Sequence, residues 1–238
     1  MNIKLSALAL GITLAYGMTA AMAADAYIEQ DGGLNYATID QYDNTGSSVE
    51  ASIVTSGWNN DHSIDQTRSN RVWAEISAPG SFNTASISQS RVDYGGAHVY
   101  QAANGSNANI EQRARDGGFY PSTGSSQWAF IYQNSGWGHD AEIVQTGHKV
   151  EATITQAGLN NNASIYQRGT GQAFNEADIT QTGANQYASV SQNGRDLIAN
   201  VNQQGFGNVA LVDMRGNGHT ATVNQSGWGN FARVNQRN

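Results

Sequence analysis

The chain has 238 residues and a formal charge of −7, with 27 Gly, two Pro and no Cys. The missing cysteines exclude a disulfide framework and any Cys-ligated metal, and the acidic balance gives no reason to expect nucleic acid as a partner. Charged residues make up only 13%, against about 25% in ordinary soluble domains, while Asn and Gln are over-used, the composition of amide ladders in stacked strands.

In chain order, the first element is an export signal. Lys4 supplies a positive start, Leu5 to about Gly17 an apolar run, and Ala21-Met22-Ala23 a small-x-small cleavage site. Residues 1–23 therefore read as a secretory signal peptide, since the apolar run is too short to span a membrane.

From Ala26 onward one unit recurs, A-x-[I/V]-x-Q, in 18 copies. They begin at Ala26, Ala37, Ala51, His62, Ala74, Ala85, Ala97, Ala108, Ala129, Ala141, Ala152, Ala163, Ala177, Ala188, Ala199, Ala210, Ala221 and Ala232. The third position is always Ile or Val. Period two puts Ala, Ile/Val and Gln on one face of a strand and mostly polar residues on the other, so each unit predicts a short half-buried β-strand. The fifth position predicts an amide ladder of Gln30, Gln41, Gln66, Gln89, Gln101, Gln112, Gln133, Gln145, Gln156, Gln167, Gln181, Gln192, Gln203, Gln225 and Gln236, interrupted by Thr55, Ala78 and Met214.

The spacings pair the strands. Within a pair the starts lie 11 residues apart, or 12 for Ala129 to Ala141, whereas the step between pairs ranges from 11 to 21. The fixed turn carries Gly32, Gly57, Gly80, Gly136, Gly158, Gly183, Gly205 or Gly227, and often an Asn three residues later: Asn35, Asn60, Asn83, Asn161, Asn208 and Asn230. Gly adopts positive φ freely and Asn tolerates the left-handed region, so both predict a tight β-arc. Such a pair cannot bury its own apolar side, but stacked pairs can. The predicted fold is all-β: a β-solenoid of about nine 22-residue, two-strand rungs in parallel register. Residues 24–112 form a more irregular set of repeats, 113–128 a loop favoured by Pro121, and 129–238 a regular set.

Gly227-Trp228-Gly229-Asn230-Phe231-Ala232 fits the glycine spacing of a dinucleotide-binding turn, but that pattern needs a strand-turn-helix setting with an acidic residue beyond it. Here it repeats at Gly205 and reads as arc. His62, His98, His139, His148 and His219 fall on different rungs, with His139 and His219 at one repeat phase, and no set of acid, base and nucleophile converges. No enzyme, metal site or cofactor is expected. The outward Thr pair Thr153 and Thr155 is too isolated for a flat ice-binding array. Trp58, Trp137, Trp228 and Phe206 share one phase of the arc, either as an exposed stripe or as cover for its backbone.

These residues resemble the curlin family, subunits of the curli amyloid fibres of Gram-negative bacteria. The family's Q-x-G-x-G-N-x-A-x-x-x-Q stands intact from Gln225 through Gly227, Gly229, Asn230 and Ala232 to Gln236, and recurs from Gln203 with Met214 in place of the last Gln. The resemblance implies an extracellular, self-assembling fibre subunit of biofilm, a major subunit or its nucleator paralogue. Its implied partners are other copies of itself, a companion subunit, an outer-membrane secretion pore and chaperones, with no small-molecule substrate. A different class remains open: a soluble, capped solenoid that binds a surface or a polysaccharide.

Overall fold

In the computed structural model, residues 24–44, 48–114, 126–170 and 173–238 are described. The expected signal peptide and residues 115–125 of the expected loop lie outside them. Among the described residues the repeat forms sixteen strands: β1 (Ala24–Gly33), β2 (Tyr36–Tyr42), β3 (Val49–Trp58), β4 (Asp61–Thr67), β5 (Val72–Ala78), β6 (Thr84–Ser90), β7 (Tyr94–Gln101), β8 (Asn107–Arg113), β9 (Ser126–Trp137), β10 (Asp140–Gly147), β11 (Val150–Leu159), β12 (Asn162–Gly169), β13 (Asn175–Ala184), β14 (Tyr187–Phe206), β15 (Val209–Trp228) and β16 (Phe231–Arg237). Sixteen strands carry eighteen repeat units because β14 and β15, of 20 residues each, run on through a turn and serve both layers.

Among the described residues every strand pairing is parallel. One layer follows the order β1-β3-β5-β7-β9-β11-β13 and ends on the second halves of β14 and β15. The other follows β2-β4-β6-β8-β10-β12, then the first halves of β14 and β15, then β16. The molecule is a β-solenoid of nine rungs, as the spacings predict. Alternation decides the register: a one-residue slip would turn every Ile outward. Repeat positions accordingly pair like with like, as in Ala152↔Ala177, Ile154↔Ile179 and Gln156↔Gln181. The extra residue between Ala129 and Ala141 is absorbed as an irregularity opposite Gln156/Ala157, so register survives it.

The core is the seam between the layers. Its Ala and Ile/Val columns are buried from Ala37 to Val223, whereas Ile28, Ala232 and Val234 of the two end rungs are only partly covered. A smaller cluster of Val49, Val72 and Val92 lies at the edge where one rung passes to the next.

His62 takes an Ala place, stacked between Ala37 and Ala85, and is fully buried, its ring nitrogens without a well-formed hydrogen bond and only a weaker contact to the Asp61 backbone. Burial disfavours the imidazolium and pulls its pKa down to about 4. A His whose folded pKa is lowered binds fewer protons folded than unfolded. Its contribution is therefore intact above pH ~6.5 and is lost as pH falls towards ~4, by about 3 kcal/mol. Glu151 and Asp178 act oppositely, because burial and neighbouring carboxylates raise their pKa values. Comparing His62→Ala with the parent separates the two effects: between pH 7 and pH 4 the parent's stability should fall further than the variant's, by the His term of about 3 kcal/mol. An identical pH profile in both chains would contradict the assignment.

Candidate functional site: the amide ladders and the end rungs

The ladder glutamines project into the seam and bond along the stack. In one layer Gln41 donates to Gln66 at 2.7 Å, and the chain of bonds continues through Gln89, Gln112, Gln145 and Gln167 to Gln192. In the other, Gln101 donates to Gln133 at 3.0 Å, and so on through Gln156, Gln181 and Gln203 to Gln225. Each Nε2 also donates across the seam to a backbone carbonyl, as Gln66 does to Glu50 at 3.0 Å and Gln181 to Asn162 at 2.9 Å. A carbonyl only accepts, so this second bond fixes which end of each amide is nitrogen. Both ladders then point the same way: the earlier rung donates and the later rung accepts.

The interruptions confirm that logic by what they strand. Gln30 faces Thr55 rather than an amide, and its Nε2 is left without a partner. Gln101 follows Ala78 in the column and Gln236 follows Met214, and in each the Oε1 is unpartnered. Thr55 instead gives its hydroxyl to the Ala78 carbonyl at 3.3 Å.

The eight arc glycines stack in one column between the layers. At Gly158, φ is +115°, and a Cβ there would lie 2.8 Å from the Gly183 carbonyl carbon and closer to its oxygen. Gly32, Gly57, Gly136, Gly183 and Gly205 stand in the same relation to the rung above. Gly80 meets the Ala103 carbonyl instead, Ala103 holding the glycine place of its rung. Gly227, in the last rung, has no such neighbour.

The arc asparagines are where expectation and structure part. The left-handed residue is the one before each of them, such as Leu34, Asn59, Phe82 or Asn160. The Asn itself is a hydrogen-bonding column. Asn60 donates its amide to Gly80 O at 2.9 Å, and its Oδ1 accepts the backbone N–H of Asn83 at 2.9 Å. Asn83, Asn161 and Asn208 are equally buried and donate to the next arc in the same sense. His139 fills this column in its rung. Its Nε2 donates to Ser135 O at 2.9 Å, while Nδ1 accepts from the Asn161 N–H at 3.4 Å, and burial lowers its pKa. His219 sits instead in the turn from one rung to the next, paired with Leu197, so the two histidines share a phase but not an edge. Spacing alone hid this second ladder, whose signal was the coincidence of Asn with His139 at one phase.

The arc aromatics both cover backbone and meet solvent. Trp58 lies over Gly33 of the rung before it, and Trp228 packs on Phe206 with centroids 5.4 Å apart, yet Trp58 stays 60% and Trp228 82% exposed. Among the described residues no group of three His, Asp or Glu is placed to hold a metal.

The curlin associated repeat matches residues 175–205 and 198–227, the span of β13, β14 and most of β15 with its Gln, Gly and Asn columns. The chain carries curlin repeats. No curated protein matches the sequence significantly. Inside the matched span the steps between rungs keep their minimum of 11 residues, and the same columns extend in register to the rungs before it. The match is to a structural repeat, and no enzyme family is indicated.

Proposed function

We propose that the chain is a secreted structural subunit of extracellular curli-type amyloid fibres, acting in adhesion and the biofilm matrix. The observation that carries this is the complementarity of the end rungs. Among the described residues β1 and β2 pair on one side only, as do the second half of β15 and β16. Unpaired strand edges are templates for another chain, and here each end bears the same Ala, Ile/Val, Gln and arc columns. Stacked head to tail, Gln225 and Gln236 would meet Gln30 and Gln41 of the next copy as donor to acceptor, and Asn230 would meet its Gly32. Tail-to-tail contact would set donor against donor.

Export through the expected signal peptide, an outer-membrane pore, chaperones and a companion subunit belong to the same reading, supported by the curlin repeats. The regular later rungs favour a bulk subunit. A minor nucleator is the second reading, favoured by Thr55, His62 and Ala78 in the second and third rungs. The test is assembly from denaturant followed by thioflavin fluorescence, with and without seeds, and fibre diffraction. A lag removed by seeds and a meridional reflection at ~4.7–4.8 Å is the expected result. A chain that folds promptly into a stable soluble monomer would refute the proposal.

A further inference from the structure

The outward positions of the layer headed by β1 are unevenly populated. Among the described residues its outward strand positions present Asp25, Glu29, Glu50, Glu75, Glu151, Glu176 and Asp178, and no Lys or Arg, counting only the second halves of β14 and β15. At its centre is a ring platform. Trp73 lies 6.4 Å from Trp128 and 6.3 Å from Phe130, Phe130 is parallel to Tyr132, and His98 meets Tyr132 edge-on at 5.6 Å. Gly96 makes room for it: a Cβ there would stand 2.6 Å from Trp73 Cζ2. Its φ is not in the left-handed region, so the glycine serves the tryptophan and not a turn. Beside the platform lies a hollow of about 630 Å³, with Trp73 and Tyr27 among its lining and Asp25, Glu50 and Glu75 as its carboxylates.

We propose that this hollow and platform bind a cationic glycan, a polymer of hexosamine units with free amino groups. Half-exposed rings gathered along a straight strand stack, with Phe130 and Tyr132 parallel, offer apolar faces and edges to successive sugar rings, and an aromatic cluster at the surface of this kind marks a binding site. An ammonium entering the hollow meets Trp73 and three carboxylates together, so attraction to the ring and Coulomb attraction act on one group. Neutral glycans obtain only the stacking, and anionic ones meet carboxylates. The site lies within one copy, so it stands whether or not copies stack into fibres.

The test titrates the folded chain with glucosamine hexamer, N-acetylglucosamine hexamer and cellohexaose. The fully amino oligomer should bind about ten-fold or more tightly than the other two. Glu50→Gln with Glu75→Gln should abolish that preference while leaving weak binding of all three. Trp73→Ala should weaken all three, and Gly96→Ala should do the same by displacing the ring. These side chains are outward, so circular dichroism should report an unchanged β-fold in the Glu pair variant, which keeps the charge test independent of folding. Equal affinity for the three oligomers overturns the proposal. A preference that survives the Glu pair variant also overturns it, placing the attraction in overall charge. So does a face that ignores all three glycans while Trp73→Ala alters association between copies, since the occupant would then be a second chain.

Discussion

Gly158→Ala is expected to destabilise the solenoid by about 3–5 kcal/mol, read as a fall in the denaturation midpoint and as slowed assembly. Two costs combine. The residue holds φ at +115°, where an L side chain is strained by about 1–3 kcal/mol. Its Cβ would also press on the Gly183 carbonyl in the rung above, and a backbone carbonyl in a parallel ladder cannot swing aside as a side chain would. Opening the contact means lifting one rung from the next over the whole arc, with the Asn161 bond to Gly183 O strained in turn. Gly227→Ala is the control. It shares the positive φ, but the nearest atom to its Cβ is Asn230 Nδ2 at 3.7 Å, so in the isolated chain it should show the strain without the clash and cost about half as much. Equal losses at the two positions would mean that backbone conformation alone sets the penalty.

Gln156→Leu should cost about 2–4 kcal/mol with little change in volume. The two amide hydrogens of Gln156 are shared among Gln181 Oε1, Asp140 O and Asn161 O, and its Oε1 accepts from Gln133. Leucine fills the space but strands the Gln133 amide hydrogen and the Gln181 oxygen inside the seam, at about 1–3 kcal/mol for each buried orphan. Gln30→Leu should cost much less, since its Nε2 is already unpartnered beside Thr55. The converse change, Met214→Gln, should gain about 1 kcal/mol by giving Gln192 an acceptor and Gln236 a donor. A stability series in which Gln156→Leu and Gln30→Leu cost the same would refute a cooperative ladder.

The strands, their pairing and the nine rungs were legible because each depends on a period of two and on a repeat of Ala, Ile/Val and Gln. Those signals are local, and the turn lengths say which strands are neighbours. What escaped depended on contacts along the stack. Asn60 and Asn83 are 23 residues apart in sequence yet bonded, and nothing in either turn announces that bond. Asn is common in turns for its own backbone reasons, so the familiar explanation masked the ladder. The platform escaped for the same cause: Trp73, Gly96 and Trp128 are scattered in sequence and adjacent only once β5, β7 and β9 are paired. The continuity of β14 and β15 was also hidden, because Gly194-Arg195-Asp196 and Gly216-Asn217-Gly218 read as breaks even where the strand runs through them.

The common sense of the two glutamine ladders gives the solenoid an electrical axis. In a parallel stack the backbone N–H and C=O groups of one strand alternate up and down, and their dipoles largely cancel. The side-chain amides do not alternate. Those of the Gln41-to-Gln192 and Gln101-to-Gln225 series all lie head to tail, so their dipoles add, as peptide dipoles do in a helix. Each added rung lengthens the series, leaving a partial positive charge at the Gln225 end and a partial negative one at the Gln41 end. Any ion, surface or incoming chain therefore meets two electrostatically unlike termini on a molecule whose rungs are otherwise alike.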